Sequence, residues 1–289
     1  MSESVIADFV GQFNASVLER TEPETGRVLL SEKRLVLVTD QGKVTIPLTD
    51  IFDVAVGHVP PDLGDFFKST VTIAFRYDDK RHVAAIEADD EKIDKFSTVL
   101  FKAILNGTAM TVKHPARVGG RVTGEEFVTA NLFLKPKQVE FKRPDASFTI
   151  DLSTVSGFDR KQREIAGQKR EVLVARHMKD AQAITSLAAM DSSRKMGILG
   201  RYLRLEYSDI VSDLTDVDLS EEETELLVAI YSSGPGISLT SVLDIDPSQV
   251  TMMLNDLEKD GLVADSEEGT ELTPKGRIVV SDQIEDVNA

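Results

Sequence analysis

RLVLVTDQGKVTIPLTDIFDV, from Arg34 to Val54, returns as QVEFKRPDASFTIDLSTVSGF, from Gln138 to Phe158, shifted by 104 positions without a gap. Seven apolar residues of the first stretch, Leu35, Leu37, Val44, Ile46, Leu48, Ile51 and Val54, meet apolar residues in the second. Their partners are Val139, Phe141, Phe148, Ile150, Leu152, Val155 and Phe158. A solenoid repeats every 20 to 50 residues or so, so a spacing this long marks two copies of a domain.

Around the first copy the period is two. Val28 to Leu30, Leu35 to Val38 and Val44 to Leu48 read as strands, with a turn at Asp40-Gln41-Gly42. Pro60 to Asp65 reads as a loop, and Val71 to Phe75 and Arg81 to Ile86 as two strands hinged at Asp78-Asp79. A helix follows Asp89, with Ile93, Phe96, Leu100 and Ile104 on one face and Gly107 at its exit. The second copy keeps this order and closes on a helix from about Ser192, with Met196, Leu199, Leu203 and Leu205 inward. Its two glycines, Gly197 and Gly200, imply close packing. Ahead of both copies, Ile6, Phe9, Val10, Phe13 and Val17 have the spacing of an amphipathic helix. A small sheet closed by one C-terminal helix is the layout of a pleckstrin-homology-like domain. The expectation is an α+β chain with two such domains in tandem, 1–112 and 113–212.

The remainder, 213–289, is a third domain with its own grammar. It holds 19 acids against Lys259, Lys275 and Arg277, which accounts for the whole net charge of −16. Ser220 to Glu223 is a capping box ahead of Leu226, Leu227, Ile230 and Tyr231. A short helix is expected over Leu239 to Leu243. Asp246 caps a third, with Pro247 first and Val250, Met253, Leu254 and Leu257 inward. Leu262 to Ala264 and Thr270 to Leu272 bracket Glu267-Glu268-Gly269 as a wing, and Thr273 to Arg277 opens a last helix. Three helices and a wing describe a winged helix-turn-helix.

Such domains usually bind DNA, yet the outward positions of the third helix carry Asp256 and Glu258 against Lys259 alone. Affinity for DNA comes largely from neutralising phosphates, so nucleic acid is not the expected partner. Zero cysteines exclude disulfides and thiolate metal sites, and His58, His82, His114 and His177 show no paired metal-ligand spacing. No phosphate loop, nucleophile elbow or dinucleotide fingerprint occurs, so neither enzyme nor cofactor is expected. Asp78-Asp79 and Asp89-Asp90 read as turn and helix-start acids. No long apolar run or secretory leader is visible, and membrane insertion is not expected.

The basic stretch Arg160, Lys161, Arg163, Lys169 and Arg170 reads as a loop. It has three meanings: a solvated loop, a surface for an acidic protein, or a lipid-headgroup site. A transcription regulator with a duplicated sensor region and an operator-binding winged helix is the rival reading for the whole chain.

Domain order, Arg194-Lys195-Met196-Gly197-Ile198-Leu199-Gly200-Arg201-Tyr202-Leu203 and the block Glu222 to Gly261 together resemble the CheF family of archaeal taxis adaptors. The resemblance implies a cytoplasmic, non-enzymatic homodimer at the archaellum motor. It links phosphorylated CheY to the archaellum switch proteins and also contacts CheC and CheD proteins. It implies that CheY engages the C-terminal domain, where Ile237, Leu239, Met252, Asp256 and Leu262 are the candidate contacts. Arg160, Lys161, Arg163, Lys169 and Arg170 are then the candidates to face the motor or the dimer mate.

Overall fold

The computed structural model describes residues 3–18, 22–57, 69–143, 146–165, 167–179, 182–215, 219–233, 239, 246–266, 269–273, 275–276 and 279–280. The chain is α+β, with antiparallel sheets and few helices. Among the described residues seven strands precede the first α-helix: β1 (Val5–Ala15), β2 (Glu24–Ser31), β3 (Arg34–Thr39), β4 (Gly42–Pro47), β5 (Ile51–Val56), β6 (Thr70–Tyr77) and β7 (Lys80–Glu87). They form one sheet in the order β4-β3-β2-β1-β7-β6-β5, followed by α1 (Asp90–Leu105).

Eight strands follow: β8 (Thr108–Val118), β9 (Arg121–Val122), β10 (Val128–Lys135), β11 (Gln138–Lys142), β12 (Ser147–Asp151), β13 (Val155–Ile165), β14 (Gln168–Lys179) and β15 (Gln182–Ala189). The second sheet runs β12-β11-β10-β8-β15-β14-β13, with β9 paired only to β8, and α2 (Ser193–Thr215) comes next. Strand for strand, this is the first order repeated.

The shift of 104 survives in the pairing itself. Leu35 faces Ile46 and Leu37 faces Val44 across β3 and β4, just as Val139 faces Ile150 and Phe141 faces Phe148 across β11 and β12. A bulge between Ile51 and Asp53 returns between Val155 and Gly157. A bulge re-aims one strand against its neighbour, so the duplication has preserved an irregularity as well as the ladder.

The N-terminal segment is a strand, which corrects the helix expected there. Positions i and i+4 share a face in both geometries, so Phe9 and Phe13 fit either. Burial decides: Gly11, Phe13 and Ala15 point inward at period two, while Val10, which a helix would bury, is 61% exposed. The turn at Asp78-Asp79 has positive φ at both residues, 47° and 59°, the geometry that lets a two-residue turn follow the twist of its hairpin. Asp89 caps α1 by accepting from the Lys92 amide at 3.0 Å. Ile93, Phe96, Leu100, Phe101 and Ile104 are buried beneath that helix, each contributing about 1.5–3 kcal/mol. Pro60 to Asp65 lies outside the described residues.

The chain gathers into two compact units: Met1–Ala109 with Asn131–Leu134 and Met190–Leu205, and Met110–Ala130 with Lys135–Ala189 and Glu206–Ala289. In the first unit the early turns of α2 bury Met196, Ile198, Leu199, Tyr202 and Leu203, and the Tyr202 ring lies 5.5 Å from that of Phe101. Leu205 is only half-buried. The packing expected of Gly197 is absent, because a methyl group there would meet nothing within 4 Å.

The C-terminal region of the second unit contains α3 (Glu221–Ser233), α4 (Pro247–Lys259) and a hairpin of β16 (Val263–Ser266) and β17 (Gly269–Leu272). The capping box is formed: the Ser220 amide donates to Glu223 Oε2 at 2.9 Å and the Glu223 amide to Ser220 Oγ at 3.2 Å. Asp246 accepts from the Ser248 amide at 2.8 Å, with Pro247 at the start of α4. Leu226, Leu227, Ile230, Val250, Met253, Leu257, Leu262, Val263, Leu272 and Val280 make one core. Of the helix expected over Leu239 to Leu243, only Leu239 is described; it is helical and packs on this core.

Candidate functional site

The candidate contacts of the C-terminal region separate by burial. Met252 is 60% exposed on α4, flanked by exposed Ser248, Gln249, Thr251 and Asn255. Asp256 is half-buried and binds Lys259 Nζ at 2.7 Å, so the base of this surface already has an acid. Leu262 is a correction: it is 0% exposed and part of the core, because the chain turns inward after Gly261 to start the hairpin. Leu239 is half-buried against the same core, and Ile237 lies outside the described residues. Tyr231, which follows Leu226, Leu227 and Ile230 on α3, is 48% exposed where those three are buried. Among the described residues of this region, its ring and Met252 are the large apolar groups that are exposed. Adaptable side chains of the methionine type and amphipathic tyrosines are common at protein-binding surfaces.

After α4 the backbone is tightly fixed. Thr273 Oγ1 donates to the Gly261 carbonyl at 2.6 Å and accepts from the Gly276 amide at 3.2 Å. A methyl group at Gly276 would lie 2.1 Å from the Leu262 carbonyl oxygen, so glycine is required.

The five bases of the second unit do not lie on a loop. They stand on a long hairpin, β13 with β14, which is a second correction; polar composition there reflects an exposed sheet edge, not irregular backbone. Alternation then divides them. Arg160 faces Leu173 and Lys169 faces Glu164 on one side, with Arg160 Nη1 3.5 Å from Glu171 Oε1. Lys161 faces Val172 and Arg163 faces Arg170 on the other. Arg163 and Arg170 therefore oppose like with like, an arrangement that costs stability unless an anion lies between them. Arg160, Lys161, Arg163 and Lys169 are exposed, and Arg170 is half-buried.

The bases of the early α2 face inward to their own unit. Arg194 Nη1 donates to the Ile51 carbonyl and, at 3.3 Å, to the Leu48 carbonyl. Lys195 Nζ donates to Thr108 Oγ1 at 2.8 Å. Burial lowers the pKa of both groups from their free values, and the Arg194 charge adds to the shift of Lys195.

Two histidines 63 positions apart in sequence, at 114 and 177, come together in the second unit. His114 Nδ1 lies 2.7 Å from Ser186 Oγ and His177 Nε2 3.0 Å from the same oxygen. The His114 ring stacks on Phe148 at 3.9 Å, and the two imidazoles lie 5.8 Å apart and nearly parallel. Burial, and next the neighbouring His177, pull the pKa of His114 down to about 4; burial also lowers that of His177. Both rings are neutral at pH 7, serving as packed polar groups. His82 is half-buried beside Phe75 and Tyr77, with Nδ1 3.2 Å from Ser16 Oγ. Among the described residues no group of three His, Cys, Asp or Glu side chains could hold a metal, and no helix is long and apolar enough to cross a membrane.

Duplicated antiparallel sheets and an acidic C-terminal region make an α+β protein whose candidate features, among the described residues, are surfaces. Residues 5–209 match the family model of the archaeal chemotaxis signal transduction system protein F. The chain is 50% identical to taxis protein CheF2 of Halobacterium salinarum over 288 residues, 100% of each chain. It is 26% identical to taxis protein CheF1 of the same organism over 295 residues, 98% of each. The chain belongs to the CheF family of archaeal chemotaxis signal transduction proteins. Among solved structures, one titled "Structure of the Spt16D Pob3N heterodimer" aligns over 64% of this chain and 95% of that chain at 11% identity. Its TM-score is 0.26, too low to carry any argument.

Proposed function

We propose that this chain is a cytoplasmic, non-enzymatic adaptor that binds phosphorylated CheY and relays the signal to the archaellum switch proteins. The observation that carries this reading is the end-to-end correspondence with a taxis protein at 50% identity. In this reading α3, α4 and the β16–β17 hairpin are a winged helix-turn-helix used for protein binding. Met252 and Asp256 on α4, with Leu239 and Ile237 nearby in sequence, form the CheY-facing side, to which the exposed Tyr231 is added. The two sheets with their helices serve as pleckstrin-homology-like domains, and the β13–β14 hairpin faces the motor or the mate in a homodimer. CheC and CheD proteins are further partners of the same adaptor.

The ion pair of Lys259 with Asp256 supports this choice over an operator-binding regulator, because it leaves α4 with no free phosphate-neutralising base among its described residues. An adaptor needs only a modest switch. A tenfold preference for the phosphorylated form takes about 1.4 kcal/mol of differential binding, and the conformational change belongs to CheY.

Calorimetric titration of the chain with CheY, with and without beryllofluoride as phosphoryl mimic, tests the proposal. Tighter binding of the activated form is the expected result. Equal affinity, or none in either state, overturns it.

A further inference from the structure

Each large sheet ends in two edge strands, and an unpaired edge offers its amides and carbonyls to any passing strand. In the first sheet these are β4 and β5, each of six residues. In the second they are β12, of five residues, and β13, of eleven. The duplicated strands β5 and β13 are treated differently. At β5 the chain covers its own edge: Arg194 occupies the Ile51 carbonyl, and Arg201 binds Asp53 on the same strand. At β13 the Tyr207 ring of α2 lies 6.3 Å from that of Phe158, and among the described residues the strand has β14 on one side and no strand on the other. It is the longest of the four edges, and its exposed run Arg160-Lys161-Gln162-Arg163 is basic in a chain of net charge −16.

We propose that β13 is a docking edge to which an extended acidic segment of a partner protein adds as a further strand. Main-chain hydrogen bonds along β13 hold the segment, and its alternating side chains choose the partner. Acids on one side of the added strand reach Lys161 and Arg163, while on the other side Arg160 already lies against Glu171. A second copy of β13 is disfavoured on the same edge, since it would set Arg160, Lys161 and Arg163 against one another. The charges therefore disfavour self-pairing and admit an acidic strand.

The inference takes the motor-facing alternative for this hairpin and rests on that reading only for where the partner resides. CheY binding at α4 does not enter it, so the two tests fail independently.

The probe is a fluorescein-labelled peptide of alternating Glu and Val, as long as β13, titrated into the full chain by fluorescence anisotropy at low and at molar potassium chloride. Saturable binding is expected, weakened at least tenfold by the double variant Lys161→Glu, Arg163→Glu. Binding should also be lost when alternate peptide amides are N-methylated, which keeps the charge and removes the main-chain donors. Amide exchange along β13 should slow in the complex. Equal binding of the N-methylated peptide reduces the edge to a charge patch and overturns the proposal. So does indifference to the double variant, no binding at either salt, or tighter binding of a single-stranded DNA of equal charge.

Discussion

Asp53, on the edge strand β5, receives both arms of the Arg201 guanidinium, Nε to Oδ1 at 3.2 Å and Nη2 to Oδ2 at 3.1 Å. About two turns earlier on α2, Arg194 reaches the carbonyl of Ile51, at the start of the same strand, and that of Leu48 just before it. Two bases on one helix thus hold one edge by different means: an exposed ion pair and a part-buried charge–carbonyl contact.

Their costs should differ accordingly. Arg201→Met removes a solvent-screened pair and should cost under about 1 kcal/mol. Arg194→Met deprives two carbonyls of a charged donor and should cost roughly 2 kcal/mol. Guanidinium chloride unfolding of both variants checks the order; equal losses would contradict it.

Stability should fall in mild acid through His114. Its folded pKa of about 4 lies below the free value of 6.5, so the unfolded chain binds the proton more readily. The contribution is complete above pH 6.5, declines as the pH drops toward 4, and levels off below that. Allowing for solvent around the half-buried ring, the loss is about 2 kcal/mol. Thermal unfolding from pH 7 to pH 4 measures it, and His114→Phe should flatten the slope.

Gly276→Ala should disrupt the C-terminal region, because its methyl group would lie 2.1 Å from the Leu262 carbonyl oxygen. A loss of at least about 2 kcal/mol is expected for such a backbone clash. Hydrogen exchange should report it first at β16 and β17, with the two large sheets unaffected.

Met252→Asp should lower the affinity for activated CheY at least tenfold, about 1.4 kcal/mol, with the thermal midpoint unchanged because the side chain is exposed. Leu239→Asp would weaken both binding and folding, since Leu239 packs on the core. Titration calorimetry beside a melting curve separates the two effects. Unaltered affinity of the Met252 variant would remove α4 from the docking side.

The amino-acid sequence by itself determined the duplication, the strand order around Arg34 to Val54 and Gln138 to Phe158, and the caps at Asp89, Ser220 and Asp246. These depend on neighbours within a few positions, or on a repeat that copies local grammar intact. It also carried enough of the family pattern for the CheF resemblance to be legible. Tertiary structure alone decided which groups are available. Leu262, expected at the surface, is buried and Tyr231 is exposed because exposure depends on how α3, α4 and the hairpin pack, not on apolarity. The pairing of His114 with His177, the seating of Arg194 beneath the Ile51 carbonyl, and the division of the five bases between two faces of a hairpin arise between distant positions. Contacts of that kind are set by sheet order and register, which bring together residues that no local period connects.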